Sequence, residues 1–445
     1  MSLSSNRTPP PIDPAVLQAE LRHFRPVCRV GRVASVGAGV IRVTGLGDIA
    51  AMGDLVGFPG GAQGEVIEVG EDALSVLAEA GTEGMARDDR VRHLGAADLA
   101  PDPSWTGRII DPFGRPLDGR PLLKGADVQP LMPPPQNPAD RRGLGARLPT
   151  GLALFDTLLP IVRGQRLGLF AGPGVGKSTL LARLAMGIEA DLVIVAMIGE
   201  RGRELREFTD RILGPEGMKR SIVVAATADQ SPLLRRRCAY SAMALAEYFR
   251  DRGRNVLLIA DSVTRFADAH REIALAAGEQ GGLGGYPPSV AQRIMALAER
   301  AGPGTMESAD ITALFTVLVA GGDMDGPVAD VLRGVLDGHV ILDRAIAERG
   351  RYPAVDILRS VSRALPDAAT EEERALIAEA RRMLGVHDQA SLMVQAGLYQ
   401  AGSDPDIDRA LDVVPRLERF VTERSPGTVG ESFEVLRAAL MPAAK

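Results

Sequence analysis

Residues 166–185 read RLGLFAGPGVGKSTLLARLA: an apolar run, small residues around a proline, then Gly-Lys-Ser-Thr. The pattern that cradles nucleotide phosphates is G-x-x-x-x-G-K-[ST]. Its first position here is Ala171, a departure of one methyl group. Gly172, Gly174 and Gly176, among Pro173 and Val175, let successive backbone N–H groups turn toward a phosphate. Lys177 is spaced to reach the β and γ oxygens, and the Ser178 hydroxyl, beside Thr179, to ligate Mg²⁺. An apolar β-rich run precedes the loop, and STLLARLAMGI (178–188) opens a helix whose N-terminus would face the anion.

The composition strengthens this reading. Of 51 Lys+Arg only four are lysines: Lys124, Lys177, Lys219 and Lys445. An ammonium is a compact point charge that suits a crowded loop, so a lysine at 177 in an arginine-writing chain is informative. At 445 residues the chain has room for roughly two to four domains. No apolar run approaches the ~18–20 residues of a membrane span, and the opening MSLSSNRTPPPIDP lacks the core of a signal peptide. Cys28 and Cys238 make neither a disulfide framework nor a metal pattern, and read as reduced thiols of a cytosolic protein. The net charge of −6 and the 4% aromatic content argue against nucleic acid as the main partner. The five histidines show no ligand spacing, so no transition-metal site is expected.

Along the chain the texture changes three times. PAVLQAELRHF (14–24) can form a helix with Leu17, Leu21 and Phe24 on one face, either packing on the body or docking a partner. From Val27 to about Leu94, short β-rich pieces broken by glycine (CRVGRVASV, GVIRVTGL, DLVGF, GEVIEVG, ALSVLAE) predict a small barrel or sandwich. Residues 101–150 read as linker, stiffest at PLMPPPQNP (130–138). Beyond Arg163, near-continuous apolar runs at 166–170, 191–198, 221–227, 255–261 and 311–320 alternate with helical stretches, as strands of a helix-covered parallel sheet do. After Asp367 the chain reads as helical. The expected organisation is a partner-binding segment (1–25), a β-barrel (26–97), an α/β domain with a parallel sheet built on the phosphate loop (98–366) and a helical domain (367–445).

Two further elements fit the phosphate loop. NVLLIAD (255–261) ends at Asp261, the form taken by a carboxylate that holds Mg²⁺ through water. MIGERGRELREF (197–208) puts Glu200 and Arg201 just after a buried strand, where open α/β sheets place ligand groups. There a carboxylate can polarise a water for attack on a γ-phosphate and a guanidinium can hold the γ oxygens. The alternative is an Arg201–Glu204 pair in solvent.

Together RGQRLGLFAGPGVGKSTLL, IGERGRELREF, NVLLIADSVTRFADAHREIALAAGE, GYPPSV, ERAGPG, VLDGHVILDRAIAERGRYPAVDIL and SVSRALP resemble the type III protein-export ATPases, and most closely the flagellum-specific branch. That family is similar to the catalytic subunits of rotary ATP synthases. The resemblance is dense from Arg141 to Pro366 and thin at both termini. It implies a RecA-like ATPase domain, ATP and Mg²⁺, Glu200 as general base and Arg201 beside the γ-phosphate. It also implies Asp261 as the metal-holding acid, Tyr352 against the adenine and Arg363 as an arginine finger for a neighbouring subunit. It further implies a homo-oligomeric, six-fold ring at the inner face of a membrane export apparatus. The implied partners are a stator-like regulator at the N-terminus, a central-stalk protein, chaperone–cargo complexes and the export gate.

Two stretches depart from the family. GEQGGLGGYPPS (278–289) has glycines where prolines are common, which loosens a loop expected to face the pore; AGGDMDGPVAD (320–330) is less acidic. A virulence-type secretion ATPase is the nearest alternative, and a rotary synthase subunit a more distant one, since EEER (371–374) is the only short acidic run in the C-terminal region. A ring-shaped RNA translocase would need a basic, aromatic barrel, and Phe58 is the barrel's one phenylalanine.

Overall fold

A computed structural model describes Leu21 and residues 27–37, 39–319, 324 and 326–442. The helix expected over 14–24 lies outside these apart from Leu21, as does most of 320–325. Six short strands close into a barrel: β1 (Val30–Val36), β2 (Val40–Thr44), β3 (Leu55–Gly57), β4 (Gln63–Val69), β5 (Leu74–Ala78) and β6 (Arg90–Gly95), in the order β1-β2-β5-β4-β3-β6. Closure removes the free edges that such short strands would otherwise expose. Alternating side chains fill the interior: Val33, Ile41, Val43, Val56, Val66, Leu74, Val76 and Val91 form one buried cluster.

The stretch read as linker contributes structure of its own. β7 (Asp98–Leu99) pairs with β9 (Gln129–Pro130), and between them β8 (Ile109–Ile110) joins the edge of the main sheet. Trp105 anchors the segment, 2% exposed, with its indole N–H donating to the Leu123 carbonyl at 2.5 Å. Two-residue strands carry no periodicity, which is why composition alone read 101–150 as loop.

The main sheet contains β10 (Arg166–Ala171), β11 (Leu192–Glu200), β12 (Ser221–Thr227), β13 (Val256–Asp261), β14 (Ile311–Leu318), β15 (Gly338–Leu342) and β16 (Val355–Ser362). With β8 its order is β16-β15-β10-β14-β13-β11-β12-β8. All neighbours are parallel except β15 and β16, which pair antiparallel with Gly338 opposite Ser362 and Leu342 opposite Val355. Helices cover both faces, one cluster centred on Leu181, Val195 and Ile259 and the other on Ala242, Phe266 and Phe315. Both faces are therefore dry, and the strands read as unbroken apolar runs.

Three helices follow, Glu371–Gln395, Pro405–Phe420 and Val429–Leu440. Ile377, Met383, Val413, Leu417, Phe420 and Leu436 join the core of the first sheet face. The first helix begins at a complete capping box: Thr370 Oγ1 accepts from the Glu373 N–H, and the Glu373 carboxylate accepts from the Thr370 N–H. Thr370→Ala is expected to destabilise this helix by about 1 kcal/mol. Hydrogen exchange of amides in 371–376 should speed up while those of β10 stay unchanged.

Candidate active site

The phosphate loop follows β10 and leads into the helix Lys177–Gly187. Gly174 (φ 76°) and Gly176 (φ 86°) are left-handed, a region that other L-residues enter only with strain. Gly176 is the helix N-cap and offers no side-chain bond to the first turn. The first-turn N–H groups thus remain available to an anion at the loop mouth. Val175 is buried and pins the loop; Pro173, Gly174, Ser178 and Thr179 are exposed, and Gly172 lies between these extremes.

Three neighbouring strand ends converge here. Asp261 closes β13, Glu200 closes β11, and Thr316 sits near the end of β14 between β10 and β13. The Lys177 ammonium is bonded to Asp261 Oδ1 and lies 3.6 Å from Glu200 Oε1. Thr316 donates to the same Asp261 oxygen at 2.6 Å. Burial would lower the Lys177 pKa, but the attraction of Asp261 and Glu200 raises it overall, so the lysine is charged. Glu200 is pushed up to about 7, first by burial, then by a hydrogen bond with Glu204 and by the Asp261 charge. Glu204, as the acceptor of that proton, is lowered. A carboxyl raised toward neutral pH beside a charged lysine has the chemistry suited to moving a proton.

The other expected residues are placed less uniformly. Tyr352 is 47% exposed, yet its ring borders the loop: a methyl group on Gly176 would lie 3.2 Å from Tyr352 Cδ1 and Cε1. Arg201 has a side chain 76% exposed, with its guanidinium 3.7 Å from Glu204. Arg363 follows β16, exposed, with Nη2 donating to the Arg333 carbonyl at 3.0 Å. Because β16 runs antiparallel to β15, it starts near Tyr352 at the loop end of the sheet and finishes at the opposite end. Because β16 is bulged against the five residues of β15, Arg363 is set back from the loop end of the sheet by roughly 15 Å at the usual strand rise.

Thr316 went unmentioned at the sequence level. The signal was there, a hydroxyl within the buried strand ITALFTVL, but its partner is visible only in three dimensions.

Helices on both faces of a parallel sheet, a phosphate loop at one strand end and two acids on adjacent strands define a P-loop nucleotide hydrolase of the RecA-like type. Residues 151–362 match the ATP synthase alpha/beta family nucleotide-binding domain, and 369–434 match the T3SS EscN ATPase C-terminal domain. The chain is 43% identical to the flagellum-specific ATP synthase of Caulobacter vibrioides, covering 92% of this chain and 94% of that one. It is 42% identical to the SPI-2 type 3 secretion system ATPase of Salmonella typhimurium, covering 91% and 92%. Among solved structures, the assembled ATPase EscN of enteropathogenic E. coli superposes with a TM-score of 0.86 at 33% identity, covering 92% of this chain and all of that one. EscN has also been solved in complex with its central stalk EscO. The chain belongs to the family of flagellar and type III secretion ATPases and is an ATPase.

Gly176→Ala should weaken nucleotide binding about tenfold or more, since it adds left-handed strain of roughly 1–2 kcal/mol and a contact with Tyr352. Calorimetric titration with ADP on Gly176→Ala, Tyr352→Ala and the double variant separates the two costs. Measured against Tyr352→Ala alone, the added Gly176→Ala should cost only the left-handed strain.

Proposed function

We propose that this chain hydrolyses Mg–ATP in sites shared between adjacent copies of a six-membered ring and thereby serves export of flagellar proteins. The carrying observation is the placement of Arg363 at the end of the sheet opposite its own phosphate loop. A finger there cannot reach the nucleotide of its own chain; a second copy must supply it. The flagellar reading rests on likeness to the Caulobacter protein along nearly the whole length, and virulence-type secretion is the alternative with the same chemistry.

In this reading the loop N–H groups and Lys177 hold the β- and γ-phosphates. Ser178 and Asp261 offer hard oxygen donors, which suit Mg²⁺, and Mg²⁺ when bound neutralises phosphate charge. Glu200 orients water and accepts its proton, the task for which a pKa near 7 fits. Tyr352, beside the loop but largely exposed, offers its ring to the adenine. Arg201 swings from Glu204 toward the γ-phosphate, a move that costs little from a solvent-exposed pair. Arg363 of the neighbouring copy completes the site.

Partners follow from the family. A central stalk, as EscN has in EscO, would occupy the pore. Chaperone–cargo complexes, a stator-like regulator at residues 1–25 and the membrane export gate complete the set. Among the described residues no helix is long and apolar enough to cross a membrane, in keeping with a cytoplasmic ATPase held peripherally at the export apparatus.

Two experiments test this. Lys177→Ala and Arg363→Ala should each be inactive alone, and mixing them in equal amounts should restore roughly a quarter of the wild-type sites, because the two lesions then fall in different interfaces. No recovery in mixed rings of confirmed subunit exchange would rule out a shared site. The second experiment reads pH. Turnover should rise as pH increases through about 7, where Glu200 loses its proton. Glu204→Ala removes a hydrogen-bond acceptor and a negative charge, both of which favour protonated Glu200, so the acid limb should shift to lower pH.

A further inference from the structure

A cavity of about 620 Å³ lies between the barrel and the sheet domain, lined by none of the site residues described above. Its walls carry Arg92, Arg115, Lys124 and Arg237, with Asp98 the one carboxylate among the lining residues. Arg237 comes from the helix Pro232–Arg250 and is 2% exposed. Its guanidinium donates to two carbonyls, Nε to Pro112 at 3.1 Å and Nη2 to Asp98 at 3.2 Å, and Nη1 has no hydrogen-bond partner. Among the described residues no carboxylate pairs with it.

A buried charge is ordinarily paired, because the interior cannot replace its hydration. Here the partial compensation is an aromatic ring: Phe113 has the Arg237 guanidinium 4.1 Å from its centroid and that of Arg115 at 4.7 Å. Arg115 is otherwise bound to Glu79 at 3.1 Å. Burial pulls the Arg237 pKa down to about 10, against the opposing attraction of Glu65, Asp98 and Asp111. Arg92, on β6, is exposed and makes no ion pair among the described residues. Among the described residues neither Arg92 nor Arg237 makes a direct ion pair, and Glu65, Asp98 and Asp111 act on Arg237 only through space.

We propose that this cavity binds a phosphate dianion, free or carried on a small organic ester, between Arg92 of the barrel and Arg237 of the sheet domain. Two guanidiniums that lack a direct ion pair match a dianion better than a single carboxylate. The volume exceeds what a bare ion fills, and Phe113 and Trp105 supply an aromatic wall for an organic group. Occupancy would tie barrel to sheet domain and raise the thermal midpoint by linkage. The inference is independent of the catalytic assignment.

The test is a titration of the Lys177→Ala chain at low ionic strength with phenyl phosphate and with inorganic phosphate, read by calorimetry and thermal unfolding. The expected result is saturable binding that weakens about tenfold or more when Arg92→Ala is added, as loss of a charge-assisted contact predicts. Arg237→Met should abolish it. Should that variant fail to fold, Arg92→Ala, an exposed substitution, decides alone. Preference for phenyl phosphate identifies an ester as the ligand, and equal binding identifies free phosphate. Absence of binding by both probes, or binding indifferent to Arg92→Ala, overturns the proposal.

Discussion

A buried lysine between two acids is the constraint on which the rest of this structure depends. Lys177 is mostly shielded from water, and it is tolerable there because Asp261 is bonded to it and Glu200 stands 3.6 Å away. Two full negative charges would overcompensate, and the rise in the Glu200 pKa relieves that excess by keeping this carboxyl partly protonated near neutrality. Arrival of a triphosphate changes the balance. Lys177 can exchange a carboxylate for phosphate oxygens, which frees Asp261 from one of its two donors and leaves Thr316 as the other. In the proposed mechanism, nucleotide binding and the readying of the acids are one electrostatic event.

That cluster exists only because the sheet brings separate segments to one edge. Lys177, Glu200 and Asp261 are spread over 84 positions of sequence, yet each follows or ends a parallel strand, and parallel strands deliver their C-terminal ends to the same side. The single antiparallel pair is what departs from this rule. β16 begins on the loop side, beside Tyr352, and carries the chain to the far side, where Arg363 emerges. One edge strand therefore spans the distance between the residue proposed to serve its own nucleotide and the one proposed to serve a neighbour's.

Much of this was legible in the sequence, and the limits have physical reasons. Strands β10 to β14 announced themselves because burial on both faces demands apolar runs, and the loop because left-handed turns demand glycine. β16 did not. Its residues VDILRSVS alternate irregularly between buried and exposed positions, as an edge strand with one wetter face does. β8 is too short to have a period, and the Arg237 cavity is assembled from the barrel, the segment after it and a distant helix, which no local pattern records. The site residues fell into two groups on the same principle. Lys177, Ser178 and Asp261 stand in motifs whose chemistry dictates their spacing, whereas Tyr352 and Arg363 came from resemblance alone, because one exposed aromatic or arginine looks like any other.

The far side of the sheet has its own logic. Arg166 grips the Asp337 carboxylate through Nε and Nη2, both at 3.1 Å, and through its own N–H at 2.9 Å. The Asp337 carbonyl accepts from Gln165 Nε2 at 3.1 Å and from the Arg363 N–H at 3.0 Å, while the same Gln165 amide reaches Ser362 Oγ at 3.1 Å. The backbone under Arg363 is thus fixed from two directions by groups at the start of β10, the strand that carries the phosphate loop at its other end. Its guanidinium, by contrast, is exposed and donates from Nη2 to a single carbonyl, a bond that is cheap to exchange in water. A rigid base with a loosely held head suits the role proposed for Arg363, finding its partner on another molecule. In the proposed ring, β10 would give a displacement at the phosphate loop a rigid route to the residue offered to the next copy, so that successive sites would not act independently.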